Sequence, residues 1–155
     1  MLSAADSDLA SRDTELRCLA DALDANVVTK LISSRVDENS GMALQRRYIR
    51  YKPGINCLVR YTGHLNGSPL DCYIKTYGSD SEVKLAKAKT RPVFDVPSAP
   101  GRLIFREHAS VITFYPNDDK LKSLRSFKNG RMSRSLQAAL FPSQPESNKY
   151  TIKPL

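Results

Sequence analysis

The strongest constraint on the fold lies between residues 44 and 77. The run LQRRYIRYKPGINCLVRYTGHL is rich in β-branched and aromatic residues, which suit a pleated, half-buried surface, and it is broken once, at Lys52-Pro53-Gly54. Proline presets one turn dihedral and glycine supplies the positive one, so this break reads as a tight turn. A second break, Asn66-Gly67-Ser68-Pro69, carries the Asn-Gly pair that favours two-residue hairpins, and LDCYIKTY follows it. Three antiparallel strands, contiguous in sequence, are expected.

The flanking segments add helices and two further strands. Leu16, Leu19, Ala20, Leu23, Val27 and Leu31 recur at helical steps, and Asp24 is placed to cap a second helix, so residues 14–33 read as one bent helix or two. Residues 1–13 read as a polar leader. After the strands, Ser79-Asp80-Ser81-Glu82 has a capping-box pattern, and the short helix it opens should stop at Thr90-Arg91-Pro92. Pro92, Pro97 and Pro100 then make a stiff connection to two strands, RLIFREH and SVITFY, closed by Tyr115-Pro116-Asn117-Asp118. Leu121, Leu124 and Phe127 predict a helix capped by Asp118, and Met132, Leu136 and Leu140 a weaker one. The expected fold class is α+β: a five-stranded, mainly antiparallel sheet with one inserted helix, preceded and followed by helices. The expected domain spans 14–141, with a polar tail over 142–155.

Composition narrows the function classes. A chain of 155 residues supports one core, and 41% hydrophobic with 26% charged residues is a globular balance. The formal charge of +8 favours anionic partners: nucleotide phosphates, nucleic acid or acidic membrane. No apolar run is long enough for a membrane span, and the start of the chain is acidic and polar, so a cytoplasmic protein with no membrane partner is expected. Cys18, Cys57 and Cys72 have no CxxC spacing and there are two histidines, His64 and His108, so neither a disulfide framework nor a zinc site is indicated.

The stretches RYIRYKPGINCLVRY and YIKTY resemble the nucleotide-binding small lobe of the aminoglycoside-phosphotransferase and choline-kinase-like (protein-kinase-like) family. TFYPNDDKLKSLRSF is similar to its strand-five end and hinge, and LRCLADALDANVV to its helical preface. The resemblance covers roughly residues 14–127. It implies ATP as the ligand, with Lys75 on the α- and β-phosphates and with Tyr73, which strand alternation sets on the same face as Lys75, as an adenine platform. It implies Glu82 of the inserted helix as the lysine's partner, Lys52 and Gly54 in the phosphate-covering turn, and Tyr115 and Asn117 in the hinge that meets the adenine edge. The turn has one glycine and no GxGxxG. No HxD-like catalytic loop and no acidic magnesium motif follow the hinge, so the chain alone is expected not to transfer phosphate. Magnesium and turnover would require a separate large lobe as partner.

Each residue also has a plainer reading. Lys75 suits a solvated strand, Tyr73 a packed sheet, Glu82 the capping box, and Asp118 with Asp119 a helix start. The rival function is a basic nucleic-acid-binding or adaptor module. Its basis is Arg46, Arg47, Arg50, Lys52 and Arg60 interleaved with Tyr48, Tyr51 and Tyr61, a mixture that holds a backbone and stacks bases.

Overall fold

A computed structural model describes residues 2–36, 41–96 and 99–117. The chain divides into a unit Met1–Tyr115 and a second unit Pro116–Leu155. The helices expected after Asp118 and the polar tail lie outside the described residues.

The sheet is antiparallel and five-stranded: β1 (Ala43–Lys52), β2 (Asn56–Leu65), β3 (Ser68–Tyr77), β4 (Arg102–Phe105) and β5 (Ser110–Phe114), in the order β1-β2-β3-β5-β4. Both predicted turns form. Lys52-Pro53-Gly54-Ile55 closes with the Ile55 amide on the Lys52 carbonyl at 3.0 Å, with Gly54 at φ 66°. Asn66 and Gly67 both have positive φ, the backbone of a primed turn whose twist matches its strands. The fourth strand ends three residues short of its predicted limit, because Arg106–Ala109 turn the chain and the Ala109 amide bonds back to Arg106.

Among the described residues, four helices accompany the sheet: α1 (Ala4–Arg12), α2 (Leu19–Leu23), α3 (Ala25–Ser33) and α4 (Ser81–Thr90). Asp24 separates α2 from α3 and caps the latter, its carboxylate accepting from the Asn26 amide at 2.8 Å, as the sequence suggested. Residues 4–12, expected to be a leader, are instead helix α1, opened by the Ser3 hydroxyl accepting from the Asp6 amide. The capping box at Ser79 also needs correction. Helix α4 starts one residue later, with Asp80 as N-cap, and the Asp80 carboxylate pairs with Lys84 at 3.2 Å instead of capping. Glu82 therefore stands at the second helical position rather than the third, where a capping box would place it.

Helices α2 and α3 bury Leu19, Ala22, Leu23, Val28 and Ile32 against Val59, Tyr61, Ile74, Ile112 and Phe114 on one face of the sheet. On the other face, α4 sets Leu85 and Ala88 over Val111, Tyr77 and Ile104. Strand β5 is covered on both faces, which is why SVITF is buried throughout and reads as continuous rather than alternating.

Asp13 ties the N-terminal helices to the first turn of the sheet. Its Oδ1 accepts from the amides of Glu15 (3.1 Å) and Leu16 (3.0 Å), and its Oδ2 from the Tyr51 hydroxyl (2.7 Å) and the Gly54 amide (2.8 Å). The same turn packs against Gly78, whose amide donates to the Ile55 carbonyl. A Cβ on Gly78 would lie 2.5 Å from the Gly54 carbonyl oxygen, a backbone atom that cannot step aside alone. Gly78→Ala is accordingly expected to lower stability by about 2 kcal/mol, read as a lower urea midpoint at unchanged slope.

Candidate functional site

The antiparallel register sorts the basic and aromatic residues onto two faces. Lys75 stands opposite Leu58 on β2 and Val111 on β5, and Leu58 stands opposite Arg50 on β1. Because Val111 lies under α4, Lys75 points to the α4 side of the sheet. By alternation that face also carries Tyr73, Tyr77, Asn56, Arg60, Arg50, Tyr48 and Lys52. Among the described residues α4 reaches this face at Tyr77 of β3, while Tyr48, Arg50, Lys52 and Arg60 on its β1–β2 part are exposed. The candidate site is this surface, bounded by α4 on one side and the Pro53-Gly54 turn at one end.

Within it, Lys75 Nζ sits 4.9 Å from the Tyr77 ring centroid, a cation–π distance. Tyr73 is half-buried two residues away on the same face, as alternation predicted. Lys52 is exposed at the mouth of the turn, opposite Asn56, which is itself opposite Tyr77. Asn56 is a residue that sequence reasoning did not single out as a site. Its Oδ1 is buried with no hydrogen-bond partner, a state that ordinarily costs on the order of 1–3 kcal/mol and asks for a donor. Nothing in the sequence flags it beyond its position just after the turn.

Glu82 contacts a different cation from the one inferred by resemblance. Its Oε2 is 3.0 Å from Arg106 Nη1, and its side chain is 71% exposed in the first turn of α4. The Gly54 amide donates to Asp13, so the donor that a phosphate-covering turn would offer there is engaged by the fold. Tyr115 follows β5 with an exposed side chain, and its amide donates to the Asp71 carbonyl at 2.9 Å, tying this backbone to β3. Asn117, the last described residue, belongs to the second unit.

The basic run is split by a β-bulge: the register shifts between Arg46 and Tyr48. Arg46 consequently faces the helical side, where it pairs with Asp6 at 2.9 Å and donates to the Leu23 carbonyl. That pairing holds the Asp6 carboxyl below its ordinary range. Tyr61 is fully buried on the same side, its hydroxyl on the Ala22 carbonyl at 2.8 Å, and Tyr51 is bound to Asp13, whose hydrogen bond pushes the phenol up to about 12. On the outer face Arg60 makes a fork to Asp71, and Arg47 donates to the Thr62 hydroxyl. The run is thereby divided: Arg46 and Tyr61 turn to the helical side and Tyr51 to Asp13, while Arg47, Tyr48, Arg50, Lys52 and Arg60 stay exposed.

Among the described residues, no group of three His, Cys, Asp or Glu side chains is arranged to hold a metal ion. All three cysteines carry free thiols. Cys57 opposes Thr76 and Cys72 opposes Tyr61 across the hairpin, and burial pushes these two thiols up to about 11 and about 12. Neither is an activated nucleophile. No helix among the described residues is long and apolar enough to cross a membrane. Compared with protein-family models, curated proteins and solved structures, the chain matches none.

Proposed function

We propose that residues 43–114 form a nucleotide-binding module of the kinase-small-lobe type, in which Lys75 engages the phosphates of ATP. The observation that carries the reading is the position of Lys75: on the third strand, near the centre of a five-stranded antiparallel sheet, facing the side onto which the one helix inserted between β3 and β4 packs. Three neighbours on that face support it. Tyr73 and Tyr77 flank the lysine with aromatic surface suited to a base, and the unpaired acceptor of Asn56 suits a donor from a ribose or base. Lys52 adds a second cation beside the turn.

In this reading the anion is held by side-chain cations rather than by a glycine-rich turn, since the Gly54 amide is bonded to Asp13. Phosphoryl transfer would need a base and magnesium ligands from a second lobe, so the module binds without turning over.

Titration calorimetry with magnesium-ATP tests the idea. Lys75→Ala is expected to weaken binding roughly ten- to a hundredfold, the range for losing a hydrogen bond to a charged group, with the fold intact by circular dichroism. Equal affinity in the two proteins would refute the role of Lys75. Robust phosphotransfer by the chain alone would refute the absence of turnover.

A further inference from the structure

We propose that β1 carries a second binding surface, for single-stranded nucleic acid, on which Tyr48 stacks a base while Arg47, Arg50 and Lys52 hold the phosphate backbone. Strands β1, β2 and β3 together contain a single carboxylate, Asp71, and the Arg60 fork occupies it. Arg46 is taken by Asp6 on the helical side. Arg47 donates to the Thr62 hydroxyl, which leaves its charge uncompensated, and Arg50 and Lys52 meet no carboxylate among the described residues. These three cations stand on one strand, two strands and about 10 Å away from Lys75, so the surface does not depend on nucleotide binding there.

The bulge creates this surface. Arg46 faces the helices, so regular alternation would turn Arg47 outward but Tyr48 and Arg50 inward. The register shift between Arg46 and Tyr48 inserts one residue, and Tyr48 comes to stand opposite Arg60, and Arg50 opposite Leu58, on the outer face. Arg47 stays on that face, where it reaches Thr62. One tyrosine ring and three cations thereby share one side of an edge strand, with Tyr48 53% exposed. A ring held so far out contributes little to the core. An open sheet face bearing an exposed aromatic is the kind of platform on which single strands stack their bases, and the neighbouring cations complement the phosphates. A duplex keeps its bases stacked on one another and offers none to the ring.

The test is fluorescence anisotropy of the full chain with labelled oligouridylate and oligothymidylate of about twelve nucleotides, within the site size of single-strand platforms. Both should bind saturably, because stacking and phosphate contacts do not read the sugar. A duplex of the same length and a polyglutamate peptide should bind roughly tenfold more weakly, since neither presents a base to the ring. Tyr48→Ala should weaken oligonucleotide binding roughly tenfold, in the range for losing one stacked base, and Tyr48→Phe should retain it. Arg50→Ala should make the fall of log affinity with log salt shallower by about 0.7, the share of one phosphate contact. Both side chains are exposed, so the melting temperature should not move. Failure of the oligonucleotides to bind, or a duplex bound as tightly, would overturn the proposal. Indifference to Tyr48→Ala, or a polyglutamate peptide bound as tightly, would also overturn it and leave only diffuse attraction of polyanions to a basic chain.

Discussion

Replacing Asp13 with alanine is expected to lower the stability of the domain by about 3–4 kcal/mol, measured by urea unfolding. The carboxylate is buried, at 8% exposure, and it accepts four hydrogen bonds from two distant parts of the chain. Removing it strands three amides and one phenol, and unsatisfied buried groups cost more than the net value of the bonds they made. The effect should also appear as a pH dependence. Burial alone would raise the Asp13 pKa, but the hydrogen bonds from Gly54, Tyr51, Leu16 and Glu15 outweigh it and hold the carboxyl below its ordinary value. A depressed folded-state pKa contributes stability above the unfolded value, roughly 3.9, which is lost as pH falls through the lowered folded value. Asp13→Asn should therefore flatten the acid limb of the stability curve, and an unchanged limb would show that Asp13 does not set it.

Tyr61→Ala should be more costly still, about 3–5 kcal/mol, because it empties the volume of a fully buried aromatic in the sheet centre beneath α2. Tyr61→Phe separates the two contributions. It keeps the ring and leaves the Ala22 carbonyl without its 2.8 Å donor, for a loss of about 1–2 kcal/mol. If the two variants lost equal stability, the hydroxyl and not the packing would hold α2 to the sheet.

The sheet was legible because its information is local. Pro53-Gly54 and Asn66-Gly67 specify turns by backbone chemistry, and period-two alternation then fixes which side chains share a face, including Tyr73 with Lys75. Features built on long-range pairing were not legible. Helix α1 has a polar sequence and no fully buried residue of its own; a serine cap, the packing of partly buried Leu9 and Ala10 on the core and the reach of Arg46 to Asp6 hold it. Asp13 looks like any surface carboxylate until Tyr51 and Gly54 arrive from 38 and 41 residues away. The bulge at Arg47 changes the phase of β1, so a run that reads as one basic face is divided between two. The same holds for Glu82, whose distance to Arg106 depends on where the β4–β5 turn falls.

Mapping magnesium-ATP on the amide NMR spectrum tests most directly whether the Lys75 face binds the nucleotide proposed for it. The shifts that move should cluster at Asn56, Leu58 and residues 73–77, saturate with one ligand, and vanish in Lys75→Ala. Shifts scattered over the basic surface, or unchanged by that substitution, would contradict it.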